Sequence, residues 1–227
     1  KNKKLLIKKT LNTNKLKFFN LNKKIGFINS RKKKIKRVIF SSVVPDTYVV
    51  IKKYIEKKFQ LKVKELKQFN LKKILKIDVN MKQIGSDRIA NAIGIMDYKK
   101  NYIILDFGTA TTFDVVIKNC YKGGVIAPGV NLSLNTLSSK ARLIPNIKLT
   151  KVKKIIGKNT QGAVNSGFYW GYQGLIENVV NMIEKETKKR YNIIFTGGLS
   201  NFFKNSFKKK IKINKDLTIK GLLKLVD

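Results

Sequence analysis

The sequence predicts an α/β fold arranged as two lobes. Three observations lead there. Short β-rich runs alternate with segments of helical period in both halves of the chain. An apolar run, Tyr102 to Leu105, ends on an acid, Asp106, turns on glycine and threonine, and starts a second β run at Phe113 to Ile117. A further apolar run, Asn192 to Phe195, empties into Thr196-Gly197-Gly198.

The elements follow in order. The stretch before Arg37 is rich in Lys and Asn, has weak periodicity and predicts little. Val38 to Phe40 reads as a strand running into a Ser-Ser turn closed by Pro45. Asp46 then reads as a helix N-cap before TYVVIKKYIEKKF, whose apolar residues recur at helical spacing. Leu61 to Leu66 alternates like a short strand. Ser86 to Ile95 is a compact helix with Ile89, Ala92 and Ile93 on one face. The hairpin Tyr102 to Ile117 comes next, and Gly123 to Val130 reads as a glycine-punctuated loop. Leu132 to Ala141 is a helix, closed by the run up to Pro145. Gln161 to Lys188 is a long helix with Ala163, Phe168, Trp170, Leu175, Val179 and Ile183 as its apolar side. Leu217 to Leu225 closes the chain as a helix. No repeat of the solenoid kind is present.

Composition narrows the chemistry. The 227 residues include one cysteine, Cys120, and no histidine. A zinc site of the usual kind and a His-based catalytic triad are thereby excluded. A lone cysteine cannot form an internal disulfide, and the first residues, KNKKLLIKKT, lack the apolar core of a signal peptide. No apolar run approaches the roughly 20 residues that span a bilayer. The expectation is a cytoplasmic protein without membrane contact. The formal charge is +37, yet only five of the 50 basic residues are Arg. Base and phosphate recognition favours the planar fork of Arg. Lysines spread along the whole chain point to solvated surface, so no specific nucleic-acid partner is expected, only salt-sensitive background binding. The run Arg31 to Arg37 reads as loop or strand-edge surface.

Three turns carry the chemistry. Phosphate is held by backbone N–H groups, hydroxyls and a metal, and residues near it must be small so that the backbone can approach. Asp106-Phe107-Gly108-Thr109-Ala110-Thr111-Thr112 supplies that set: a tight turn at Gly108, hydroxyls and amides from the threonines, and a carboxylate, Asp106, able to bind a cation. Gly197 and Gly198 form a second glycine turn against which a nucleotide could lie. The plain alternative for both is an ordinary turn. The third piece is Ile84 to Ala92, where a carboxylate and an Arg open a helix. Asp87 could accept a hydroxyl proton while Arg88 clamps a substrate carboxylate. Alternatively, Ser86 or Asp87 is simply an N-cap and Arg88 a surface charge.

Read in order, these residues resemble the type III pantothenate kinases. The matching pieces are SSVVP (Ser41 to Pro45), GSDR (Gly85 to Arg88), DFGTATT (Asp106 to Thr112), GGVIAPG (Gly123 to Gly129), ARLIP (Ala141 to Pro145), IGKNT with a following SG (Ile156 to Thr160, Ser166, Gly167), TGG (Thr196 to Gly198) and DLTIKGL (Asp216 to Leu222). They are collinear and span the chain from about Arg37 onward. DFGTATT together with G-x-D-R is specific to that family.

The resemblance implies an actin/hexokinase/Hsp70-like (ribonuclease H-like) duplicated fold. Residues 1–83 would form an N-terminal lobe, and residues 84–227 a C-terminal lobe with the hairpin phosphate turn and the substrate site. It implies transfer of a phosphoryl group from ATP to pantothenate, the first step of coenzyme A synthesis. It also implies Mg²⁺, a monovalent cation (K⁺ or NH₄⁺) and a homodimer. Carried over, Asp87 is the proton acceptor, and Gly85, Ser86, Arg88 and Thr160 bind pantothenate. Thr109, with Gly108, Gly197 and Gly198, meets ATP, and Asp106 holds the monovalent cation. The family opens on an Asp-x-Gly-Asn-Thr turn that does not occur in this chain, so an N-terminally incomplete sequence is expected. A catalytically inactive relative with a regulatory or binding role is the alternative. Asp78 and Met81 stand where the family often has Tyr and Pro.

Overall fold

The computed structural model describes residues 7, 8, 21, 25, 26, 28 and 33–226. The first half contains β1 (Val38–Phe40), α1 (Pro45–Phe59), β2 (Val63–Glu65), β3 (Lys76–Ile77) and α2 (Ser86–Ile95). Then come β4 (Asn101–Phe107), β5 (Ala110–Ile117), β6 (Cys120–Pro128), α3 (Val130–Lys140) and α4 (Thr160–Thr187). The chain finishes with β7 (Asn192–Gly197), α5 (Ser200–Phe203), β8 (Ile211–Ile213) and α6 (Leu217–Leu223). Among the described residues no helix is long and apolar enough to cross a membrane.

The chain forms two compact units. One comprises Lys1–Ile74, Met81–Gly94 and Thr218–Asp227, the other Leu75–Asn80 and Ile95–Leu217. The sequence suggests a single cut between residues 83 and 84. Instead, Met81–Gly94 and Thr218–Asp227 fall in the first unit. The reason is local packing: Gly221 of α6 seats directly on the Ala90 carbonyl of α2, where a Cβ would collide. Thr218 and Asn91 also share a side-chain hydrogen bond of 2.7 Å.

In the first unit β1 and β2 pair in parallel, Val38 opposite Val63. Tyr54, Ile55 and Phe59 of α1 pack with Val63 and Leu21 as its core. Asp46 does not cap α1: the helix opens on Pro45, and Val44 holds the cap position without a side-chain bond. Proline suits that first position because its fixed φ is already helical and its missing N–H is not needed there. Asp46 sits in the first turn, where a negative charge faces the positive end of the helix dipole. Lys33, Lys34, Lys36 and Arg37 are exposed; Arg31 and Lys32 lie outside the described residues.

The second unit is built on a six-stranded sheet of order β3-β6-β5-β4-β7-β8. The meander β4-β5-β6 is antiparallel; β3 on β6, β7 on β4 and β8 on β7 are parallel. β6 replaces the loop expected at Gly123 to Val130. Glycine there serves a strand, because Gly123 takes φ +113 beside a bulge at which Val115 pairs with Gly123 and Val116 with Tyr121. One sheet face packs on α4 around Ile103, Leu105, Phe113, Ile176, Val180 and Phe195. Phe168, Leu175, Val179 and Ile183 join this core as expected. Ala163 does not; it is exposed, and Asn165 and Ser166 are buried in that first part of the helix instead.

Candidate active site

In the second unit the sheet register brings two of the three turns together. β4 and β7 run parallel with Asp106 opposite Thr196 and Phe107 opposite Gly197. Both strands therefore end side by side, at the carboxyl edge where open α/β sheets bind ligands. Gly198 N donates to Phe107 O at 3.0 Å, which ties the second turn to the first. Gly197 has φ +82, and a Cβ on it would lie 2.5 Å from Asp106 Oδ1 and 2.6 Å from both the N and O of Phe107. A side chain at this position would push out the carboxylate and the backbone it stands on.

The hairpin turn itself is short. Gly108 N donates to Ala110 O at 3.0 Å, and Gly108 and Thr109 are exposed. A Cβ on Gly108 would meet only Ala110 O, at 3.5 Å. The fold does not require glycine there, so its bareness leaves the turn backbone open to an approaching group. Gly129, the residue capping α3, supports the turn from below: its N donates to Thr109 O at 3.0 Å. A Cβ on Gly129 would lie 2.6 Å from Gly108 O. Gly129 is part of the run read as a loop, and no local signal marks its contact with the turn.

The threonines divide by face, as alternation along a strand demands. Thr112 stands opposite Asp106 and shares its face. Thr111 points into the core, fully buried, with a hydroxyl that has no hydrogen-bond partner. It is therefore not among the groups that line the outer turn. Asp114, two residues beyond Thr112, is also fully buried. Tyr121 OH donates to its Oδ1 at 2.7 Å, and Thr112 Oγ1 reaches its Oδ2 at 3.5 Å. Asp114 leaves one signal in the sequence, an acid inside the apolar run Phe113 to Ile117.

In the first unit Gly85 to Arg88 open α2. Gly85 O accepts from Ile89 N at 3.3 Å, so the glycine, not Ser86 or Asp87, stands at the helix start. Asp87 Oδ1 accepts from Arg88 N at 2.8 Å. A Cβ on Gly85 would come 2.5 Å from that same oxygen and 3.3 Å from Val43 Cγ1. Gly85 thus makes room for the Asp87 carboxylate, and the Ser41 to Pro45 turn lies beside it. Ser86 is buried, whereas Asp87 and Arg88 are half-buried.

Thr160 is the first residue of α4 and is exposed. Asn159 caps the helix, its Oδ1 accepting from Gly162 N at 2.7 Å. Gly157 packs so tightly on the Gly162–Ala163 backbone that a Cβ would collide. Ser166 Oγ donates to Ile155 O, and Asn165 Oδ1 accepts from Thr150 N at 2.7 Å. These bonds fix the extended segment leading to Thr160. Thr160 is not brought to the hairpin turn: Tyr172, which reaches Pro128 O at 3.2 Å, lies about 18 Å further along α4 at 1.5 Å per residue.

Near the rim of this sheet Asp78 pairs with Lys122 at 2.5 Å. The hydrogen bond from Lys122, followed by one from Cys120, holds its carboxyl below the usual carboxylate range. Burial pushes the Cys120 thiol up, and Asp78 adds to that. Among the described residues no group of three or more His, Cys, Asp or Glu side chains gathers to hold a metal ion.

Comparison with known proteins gives a consistent answer. The type III pantothenate kinase family model matches residues 10–182. A type III pantothenate kinase of Pelagibacter ubique is 55% identical over 98% of this chain and 90% of its own length. One from a Sulfurihydrogenibium species is 39% identical over 87% of this chain and 79% of its own. The crystal structure of a Baf-family protein from Campylobacter jejuni superposes with a TM-score of 0.56 at 22% identity, covering 88% of this chain and 86% of that one. That likeness concerns the fold, which is α/β as expected. With the family match running through the Gly85–Arg88 and Asp106–Thr112 turns and a relative more than half identical along nearly the whole chain, this chain belongs to the type III pantothenate kinase family.

Proposed function

We propose that this chain transfers the γ-phosphoryl group of ATP to the hydroxyl of pantothenate, giving 4'-phosphopantothenate and ADP as the first step of coenzyme A synthesis. The family membership carries the activity. The observation that supports its location is the meeting of the Asp106 strand end with the Gly197 turn.

In this reading Gly108, Thr109, Gly197 and Gly198 form the phosphate cradle, because their backbone is bare or exposed where a phosphate approaches. Asp106 offers hard oxygen to a monovalent cation, K⁺ or NH₄⁺, which suits that donor. Mg²⁺ characteristically takes one or two carboxylates plus substrate phosphates, and this fits a chain without a larger acidic cluster among its described residues. Bound there, the metal ions would offset the charge of the phosphate chain. Asp87 accepts the proton of the attacking hydroxyl as its oxygen bonds to the γ-phosphorus and the bond to the β-phosphate oxygen breaks. Gly85, Ser86, Arg88 and Thr160 hold pantothenate, Arg88 by pairing with its carboxylate.

A homodimer belongs to the same reading. Leu143, Ile155 and Ile156 are strongly exposed apolar residues on the segment before α4, the kind of surface that a second copy covers. A cytoplasmic location fits the free thiol of Cys120.

The test is ATP-dependent phosphorylation of pantothenate with Mg²⁺ and K⁺, run beside an Asp87→Asn variant. Turnover that falls by about 10²- to 10⁴-fold in the variant supports both the activity and the assignment of the proton acceptor. A folded protein without turnover sinks the reading.

A further inference from the structure

Asp114 has no role in the chemistry above, yet it is a carboxylate with no exposed surface in the middle of β5. A charge taken out of water needs donors or a cation close by. Tyr121 is the clearest of these, its OH donating to Asp114 Oδ1 at 2.7 Å. The β6 bulge makes this bond possible. With Val115 opposite Gly123 and Val116 opposite Tyr121, Lys122 is the extra residue, and Tyr121 turns to the face of Asp114. A regular strand would point it to the other side.

The same face leads to the phosphate turn. In the β4–β5 register Asp106 is opposite Thr112 and Ile104 opposite Asp114. Asp106 and Asp114 are therefore diagonal neighbours, about 7 Å apart, with Thr112 between them. Thr112 Oγ1 reaches Asp114 Oδ2 at 3.5 Å. On the other side of Asp106 stands Thr196, almost fully buried. The arrangement is a buried carboxylate anchored by a phenol, set behind the carboxylate at the strand end.

We propose that Asp114 is a positioning residue for Asp106. Its carboxylate, fixed by Tyr121, holds the Thr112 side of the hairpin and adds a second negative charge behind Asp106. A monovalent cation is then bound at the hairpin more tightly than Asp106 alone would bind it. This inference rests on the reading of Asp106 as the cation ligand.

The experiment titrates the full-length protein with KCl at constant ionic strength, using choline chloride as the balance. It reads the K⁺-dependent rise in Tm together with the K⁺ dependence of kcat and of KM for ATP. Asp114→Asn should raise the half-saturating K⁺ concentration about tenfold, with kcat at saturating K⁺ retained. A lower Tm with an unchanged half-saturating K⁺ would mean a merely structural role and overturns the proposal. Where Asp114→Asn does not fold, Tyr121→Phe decides: losing the anchor should raise the half-saturating K⁺ about fivefold, and an unchanged value overturns the proposal. Asp106→Asn separates the two layers. If it abolishes the K⁺ response while Asp114→Asn leaves it intact, the proposal alone falls. If Asp106→Asn responds to K⁺ like the parent chain, the cation reading falls and the proposal with it.

Discussion

The Asp106 carboxylate occupies the space that a side chain on Gly197 would need: a Cβ there would stand 2.5 Å from Oδ1 and 2.6 Å from the backbone N and O of Phe107. Gly197 also holds φ +82, a region that L side chains enter at a cost. Gly197→Ala should therefore destabilise the fold by about 1–3 kcal/mol and lower kcat/KM for ATP by about 100-fold, the scale of a misplacement near 1 Å. Urea unfolding and steady-state kinetics check the two effects. A variant with full stability and full activity would show that the glycine is not needed where it stands.

Gly108 makes the opposite case. Its Cβ position is open apart from Ala110 O at 3.5 Å, so Gly108→Ala should leave stability within about 0.5 kcal/mol of the parent chain. A methyl group on the outer turn should still obstruct a phosphate that lies against the backbone. The expected result is an ATP KM raised about tenfold with little change in Tm. Unchanged KM would remove Gly108 from the nucleotide cradle.

Gly85 and Asp87 give a third contrast. The atom that a Gly85 Cβ would meet, at 2.5 Å, is the end of a side chain, Asp87 Oδ1, which can swing away. Gly85→Ala should thus fold normally but displace the carboxylate from the position its glycine neighbour leaves free. We expect kcat to fall about 100-fold with Tm near that of the parent chain. Wild-type kcat in Gly85→Ala would argue against Asp87 as the proton acceptor.

Much of this is legible in the sequence, and the limits have physical causes. The helix at Ser86–Ile95 lies where periodicity places it, because one face is apolar, and the strand at Val38–Phe40 lies where a short β-rich run before a Ser-Ser turn places it. The β4–β5 hairpin is legible because two apolar runs flank a Gly-Thr turn. β6 is not, because Gly123 and Gly124 read as breakers, whereas in the sheet one takes a positive φ at a bulge and the other pairs with Asp114. The meeting of Asp106 with Gly197, and of Gly129 with Thr109, comes from strand register between distant segments and leaves no local trace. Asp114 is legible only as an oddity, since a single acid in an apolar run does not reveal that Tyr121 will be turned toward it.

Asp78 and Lys122 yield the pH prediction. They tie β3 to β6 by an ion pair of 2.5 Å, with Lys76 at 3.7 Å from the same carboxylate. Lys122 is the main cause that lowers the Asp78 pKa, and Asp78 in turn raises that of Lys122. In the unfolded chain the carboxyl titrates near about 4. Below that value the unfolded state binds the proton more readily, so the pair's contribution is present above it and is lost as pH falls through the lower folded value. The Lys122 part behaves in the opposite sense: it is complete at acid and neutral pH and is lost only above the ordinary lysine range. The pair is exposed, so the effect is small, but its direction is specific. Lys122→Met should raise the Asp78 pKa and make the fall in stability between about pH 5 and pH 3 shallower. Carboxyl NMR titration of Asp78 and urea midpoints across that window measure it. An Asp78 that titrates at the ordinary carboxylate value in the parent chain would rule out the pair as a source of acid sensitivity.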